Sequence, residues 1–244
     1  VGPFAYPGDP LEQRLTARLA APAAEKAGRF YPLGTDAHGR DLLARTLSGT
    51  RISLMIGVLS VLSGALLGVA LGLTAGHFGG RVDRAVTLLI DVQMSIPFLL
   101  LALILSAILG PGIRNTIIAL TFTSWIVYAR VVRAETLVLR DCDFVQAARA
   151  LGAPHGRIMA RHILPNLGST LIVVGTLEVG RMILTEAALS FLGLGVPPPA
   201  ASLGRMVAQG QPYVLNAWWF STIPGLAILI LVLLVVFLGE ALRQ

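Results

Sequence analysis

The chain alternates between long apolar runs and short polar breaks, and the lengths of those runs predict helices that cross a bilayer. The first run, residues 54–75, carries no charge and slightly exceeds the roughly 20 residues that a bilayer demands. Within and just beyond it Ser60, Gly64, Gly68, Gly72 and Gly76 recur every fourth residue. A ribbon of small residues lets another helix approach closely, so this face is expected to pack on protein rather than on lipid. A second run, 85–109, holds Asp91, Gln93 and Pro97 in its first half, and Gly110-Pro111-Gly112 turns the chain into a third, 115–132. The fourth, from 167 to about 194, is the most polar. The fifth, 223–238, follows Trp218, Trp219 and Phe220, residue types that gather at membrane interfaces. The pattern specifies an all-α, polytopic membrane protein with five spanning helices.

One long polar stretch interrupts this series, Asp141 to Asn166, DCDFVQAARALGAPHGRIMARHILPN. Phe144, Ala147, Ala148 and Leu151 stand at i, i+3, i+4 and i+7, the spacing of an amphipathic helix. Asp143 is the expected N-cap, with Gln146 three residues on in a variant of the capping box, and Asp141 adds negative charge near the helix start. Gly152 supplies a left-handed stop, and Pro154 prevents continuation. A second short helix, 155–162, carries Arg157 and Arg161 before Pro165. So charged a segment between membrane spans reads as a docking surface.

Composition agrees with the bilayer. The 244 residues are 55% hydrophobic and only 13% charged, with a mean hydropathy of +0.77, whereas soluble domains carry about 25% charged residues. The net charge of +6 is almost all arginine, since Lys26 is the only lysine. Those arginines sit at the ends of apolar runs rather than in one patch, which argues against nucleic acid as a partner. Cys142, the single cysteine, excludes an internal disulfide. No lysine follows a glycine as a phosphate-binding loop requires, and no metalloprotease, redox-dithiol or serine-hydrolase motif is present. The chain therefore offers no catalytic residue, metal site or cofactor site of its own, and any ATP hydrolysis belongs to another chain.

Besides Arg130 near the end of the third run, Asp91, Glu178, Arg181 and Glu186 lie within the spans, where a charge is costly unless it faces protein or water. Asp91 either lines a pathway or pairs with Arg84 or Arg81 near the interface. Glu178 and Arg181, three apart, can pair on one helix face. Glu186 has no cation three or four residues away. Glu178, Arg181 and Glu186 are expected to share one broad face turned towards a companion subunit. Arg81, Arg84, Arg130, Arg133 and the arginines of the polar loop gather on one side against Arg114 and Arg205 on the other, which places the loop in the cytoplasm. The basic residues of the opening segment oppose that assignment, and the short loops are the better determinant.

Residues 1–50 are polar and punctuated by proline, without the basic and apolar regions of a signal peptide. Thr35-Asp36 and Gly39 read as a turn, and Asp41 as a helix cap. The polar loop resembles the EAA loop of ABC-importer permeases, whose pattern is Glu-Ala-Ala, three residues, Gly, nine residues, then Ile-x-Leu-Pro. Gln146-Ala147-Ala148, Gly152 and Leu164-Pro165 stand at matching positions, with Gln146 in place of the Glu and His162 in place of the Ile. The sequence RHILPN, the segment Leu33-Gly34-Thr35-Asp36 with Gly39-Arg40-Asp41, and Ser190-Phe191-Leu192-Gly193-Leu194-Gly195 are similar to the dipeptide, oligopeptide and nickel branch. Arg181 stands where that branch usually carries a small residue.

The resemblance implies the type I importer permease fold, in a bacterial inner membrane. Residues 1–50 would be an extracytoplasmic segment following a first helix that this chain lacks, and 51–244 the permease domain, with a cytoplasmic coupling loop at 133–166. In that loop Asp143, Phe144, Gln146, Ala147, Ala148, Arg149, Leu151, Gly152, Leu164 and Pro165 would meet the ATPase, while Asp91, Glu178, Arg181 and Glu186 would line the path or join subunits. The implied partners are a second permease, in a heterodimer, two ATPase subunits holding ATP and magnesium, an external solute-binding protein and membrane lipid. Dipeptides, longer peptides, nickel and sugars all remain as solutes. An ion-coupled secondary transporter using Asp91, Glu178 and Glu186 is the alternative, as is a membrane scaffold that transports nothing.

Overall fold

A computed structural model describes residues 8–26 and 28–243; the first seven residues of the opening segment lie outside it. Helix α1 (Leu42–Phe78) is followed by α2 (Gly80–Met94), α3 (Phe98–Leu109) and α4 (Ile113–Leu139). Then come α5 (Asp143–Ala150), α6 (His155–Ile158), α7 (Gly168–Phe191), α8 (Leu203–Gly210) and α9 (Trp219–Arg243). Among the described residues four helical runs are long and apolar enough to cross a membrane, and a fifth crossing exists if α2 and α3 count as one span.

Helix α1 is the spine. Its 37 residues would extend roughly 55 Å at about 1.5 Å per residue, well beyond the roughly 30 Å hydrocarbon core, so one end stands outside the bilayer. Asp41 caps it, its carboxylate accepting from the backbone N–H of Leu43 at 2.9 Å and of Ala44 at 3.3 Å. The glycine ribbon packs on α4 as expected. A methyl group on Gly68 would overlap the Trp125 carbonyl oxygen, one on Gly72 would lie 2.6 Å from that of Ala129, and one on Gly76 would lie 2.6 Å from Thr136 Cβ. Backbone thus meets backbone, and Ser124 Oγ donates across the seam to the Ser60 carbonyl at 3.4 Å.

The expected second span, 85–109, is not straight. Its halves, α2 and α3, meet at 86° across Ser95, Ile96 and Pro97. Proline lacks the N–H that would continue the helix and pushes the preceding residue out of the helical region. Gln93 fixes the end of α2, donating to the Phe122 carbonyl at 2.7 Å and accepting from Trp125 Nε1 at 2.9 Å. The other boundaries also shift. The first and third spans lengthen to α1 and α4, and the fourth begins not at 167 but at His155, in one helical run to Phe191.

At the end of the molecule where α1 begins, a two-stranded antiparallel hairpin, β1 (Ala24–Lys26) with β2 (Arg29–Tyr31), precedes the turn. Thr35 and Asp36 are fully buried. Thr35 Oγ1 accepts from Ala20 N–H at 2.8 Å and donates to the Ala17 carbonyl at 2.5 Å. Asp36 accepts from His38 N–H at 2.7 Å and from Arg40 Nε at 2.6 Å, and Gly39 turns with φ +70°. These residues build a local fold, as the structural reading of them expects. A cluster of Leu42, Met206 and Phe220 with Leu33 and Trp219 fastens this module to α8 and α9. The aromatic trio is accordingly divided. Trp218 is half-exposed, but Phe220 is buried and Trp219 Nε1 donates to the Thr35 carbonyl at 3.4 Å, so two of the three serve packing rather than a lipid belt.

Overpacking a tight seam costs about 1–3 kcal/mol. Gly68→Val should therefore lower the thermal unfolding midpoint of the purified chain in detergent, whereas Gly225→Ala, where no atom lies within 4 Å of the added methyl, should leave it unchanged. Equal midpoints would show that the ribbon does not hold α1 to α4.

Candidate functional site

The polar loop folds at the end of the molecule opposite the hairpin module, where α1 ends and α4 runs into α5. The cap differs from expectation. Cys142, in extended conformation, is the N-cap and makes no side-chain cap bond, and Asp143 is the first helical residue. Gln146 reaches back to the Arg140 carbonyl, at 3.4 Å, instead of closing a capping box. The turn at Arg140–Cys142 is tight enough to put Cys142 at the boundary, and Asp143 still lends its charge to the positive helix end. The stop is as expected. Gly152 takes φ +78°, and bonds from Gly152 N–H to the Arg149 carbonyl, at 3.0 Å, and from Ala153 N–H to the Ala148 carbonyl, at 3.1 Å, close a Schellman motif before Pro154.

After Pro154 the expected helix 155–162 is a composite. It begins as α6, widens into a π-helical turn over Met159–Ile163, and tightens into a 3-10 turn over Leu164–Leu167 that carries Pro165 into α7. Val145, Ile158, Ile163 and Leu167 form a buried cluster with Leu73 of α1 and Val132 of α4. Polar contacts reinforce it, from Arg140 Nη1 to the Gly76 carbonyl at 2.9 Å and between His77 Nε2 and His155 Nδ1 at 2.9 Å.

The apolar stripe predicted for α5 divides between two surfaces. Ala148, with Val145, turns inward, whereas Phe144 is 44% and Leu151 88% exposed, with Ala147 exposed between them. Gln146, Arg149 and Pro165 are also exposed, and Leu164 is partly buried. A short, capped helix rooted in the core therefore displays apolar side chains that this chain leaves uncovered.

The charged groups of the spans fall into three environments. Asp91 is exposed beside a cavity of about 580 Å³ that Arg130 and Arg133 also line. Among the described residues no ion pair joins it to Arg81 or Arg84. Arg133 is instead held by Asp83, Nη2 to Oδ2 at 2.8 Å.

Glu178 and Arg181 pair at 3.1 Å, and the guanidinium carbon of Arg181 lies 3.7 Å from the centre of the Phe98 ring. Arg181 lines a cavity of about 640 Å³ with Gln93, Met94, Phe98, Thr123 and Arg130, at the bend between α2 and α3. An arginine at the centre of a membrane costs about 2.5–3.5 kcal/mol on insertion scales, so this partly exposed cation has to face water or another chain, not lipid.

Glu186 corrects the expectation of a single shared face. It is fully buried within this chain. Oε2 accepts from Ser53 Oγ of α1 at 2.6 Å, and Oε1 accepts from Ser190 Oγ at 2.7 Å and from Ser202 Oγ, beside α8, at 3.2 Å. Around an ideal helix, at about 100° per residue, Arg181 and Glu186 lie on opposite sides of Glu178, some 140° apart, so they meet different neighbours. Sequence reasoning missed the three serines and Phe98. Only Ser190, one turn from Glu186, left a local signal.

These features define a helical membrane permease subunit, with a polar loop at one end and a cavity at a broken span. The profile described as "Binding-protein-dependent transport system inner membrane component" matches residues 68–244, and the chain belongs to that family. It is accordingly a multi-pass inner-membrane permease of an ABC importer rather than an ion-coupled carrier or a scaffold.

The di/tripeptide transport system permease protein DppC of Pseudomonas aeruginosa is 42% identical over 247 residues, 99% of this chain and 80% of that protein. The dipeptide transport system permease protein DppC of Bacillus subtilis is 38% identical over 245 residues, 100% of this chain and 75% of that protein. Among solved structures, an inward-facing MetNI methionine ABC transporter matches with a TM-score of 0.69 at 22% identity, covering 82% of this chain and 94% of that one. An amino acid ABC transporter with histidines matches at a TM-score of 0.63 and 21% identity, covering 82% of this chain and 92% of that one. These last two matches establish the type I importer permease fold.

Replacing Glu186 by Ala would strip three buried hydroxyls of their acceptor, at about 1–3 kcal/mol for each group left unsatisfied. Glu186→Ala should therefore unfold in detergent markedly earlier than the wild type and Glu186→Gln less so, while assembly with a companion subunit survives in Glu186→Gln. An Ala variant as stable as the wild type would show the cluster to be dispensable.

Proposed function

We propose that this chain forms half of the translocation path of an importer for short peptides and that α5 is the element through which ATPase subunits drive it. The observation carrying this reading is the exposed apolar set Phe144, Ala147 and Leu151 on a helix whose other face is rooted in the core by Val145 and Ala148. A partner groove closing over that set buries apolar surface, and a force on α5 passes into α1 and α4 through packed side chains and the Gly76 and His77 contacts. The loop lies in the cytoplasm, in keeping with Arg81, Arg84, Arg140, Arg149, Arg157 and Arg161 at that end, and the hairpin module lies outside. A second permease completes the path, two ATPase subunits bind ATP and magnesium, and a solute-binding protein delivers the solute from outside. The names of the DppC relatives support short peptides as that solute.

Two substitutions one residue apart test the docking face. Ala147→Glu places a charge on the exposed surface and should reduce peptide transport at least tenfold while the chain accumulates and melts as the wild type does. Ala148→Glu places it against the core and should destabilise the chain itself. Wild-type transport in Ala147→Glu would overturn the assignment of α5.

A further inference from the structure

The cavity at the bend of the broken span is lined by a cation whose pairing within the chain leaves part of it free. Arg181 spends one nitrogen, Nη1, on Glu178, and the described residues offer no hydrogen-bond partner to Nε or Nη2. Its guanidinium carbon lies over the Phe98 ring, 3.7 Å from the centroid, a cation–π contact, and its side chain is 39% exposed. A second guanidinium, Arg130, lines the same cavity, and among the described residues its one hydrogen-bond contact is to Met94 Sδ at 3.2 Å. No carboxylate lines this cavity among the described residues, and Glu178 is itself buried beneath Arg181. A volume of about 640 Å³ falls within the range of small-ligand sites, about 300–1,000 Å³. Its walls are mostly apolar, so the two cations are its chemical signature.

We propose that Arg181, stacked on Phe98, is a carboxylate-recognising subsite of the path, presenting its free N–H groups to the carboxylate of a passing peptide. The proposal rests on the peptide reading above. Guanidinium N–H groups fixed in one plane match the two oxygens of a carboxylate. Glu178 competes for the same cation, so the grip is a moderate one, as suits a group that a solute must enter and leave. Arg130, which lines the same cavity, adds to its positive field and draws the carboxylate in.

The test is transport by the complete importer reconstituted in vesicles, with alanyl-alanine and its C-terminal amide each at concentrations saturating the binding protein. Taking each variant's rate relative to wild type for the same peptide removes the binding protein's own preference. Arg181→Met should lower alanyl-alanine transport about tenfold and leave the amide within about twofold, the loss of one charge-assisted contact. Glu178→Gln, which frees the guanidinium from its internal partner, should raise the acid-to-amide ratio. Alanyl-glutamate amide separates the sources of the carboxylate. If it follows the acid in Arg181→Met, the subsite reads any carboxylate; if it follows the amide, it reads the peptide C-terminus. Equal losses for acid and amide, or no loss for either, would overturn the proposal and leave Arg181 a contact between subunits. Should Arg181→Met fail to assemble, an unchanged ratio in Glu178→Gln would overturn it equally. A wild-type importer that moves none of the three peptides would refute the peptide reading itself, a result distinct from active transport without Arg181-dependent selectivity.

Discussion

Helix α1 touches α4 backbone to backbone, and the hairpin module, the Glu186 cluster and the polar loop are all anchored on this same helix. Lipid offers no hydrophobic drive to bring two apolar helices together, so what holds them is the number of atoms in contact, which glycine every fourth residue maximises. The same helix then supplies an anchor at each level. Asp41 caps it where it joins the hairpin module, Ser53 reaches Glu186, and Gly76 and His77 hold Arg140 and His155 of the loop. The loop and α1 are thereby joined by direct polar contacts as well as by packing.

Charge is distributed by the same economy of partners. Asp36, fully buried, is enclosed by backbone donors and Arg40. Glu186, equally buried, sits among three hydroxyls with no cation. Arg181 differs from both, because its partners leave part of it open to a cavity. Asp36 and Glu186 serve the fold and are closed over, whereas Arg181, like Asp91 and Arg130, keeps a side open to a cavity.

Much of this was legible in the sequence because it is local or periodic. The glycine ribbon, the Gly152 stop and the Asp41 cap each follow from the conformation or spacing that a residue type imposes. Pro97 stands in the second span, read from its length as one straight crossing, but the 86° bend depends on where α3 finds packing, which no local pattern encodes. The hairpin's strands, three residues each, are too short to show a period. Glu186 finds Ser53 across 133 residues of chain, a pairing that serine's small, neutral side chain does not advertise. The stripe on α5 reads as one face because apolar residues look alike in sequence, whether they will meet their own core or a partner.

If energy enters through α5 and solute through the opposite end, the two must be linked across the membrane. The direct measurement is the rate of ATP hydrolysis by the complex of this chain, its companion permease and two ATPase subunits in vesicles, with and without peptide-loaded binding protein on the outer side. A severalfold rise on adding the loaded binding protein is the expected result. A hydrolysis rate indifferent to it, with the complex intact and the protein bound, would contradict a coupling path through this chain.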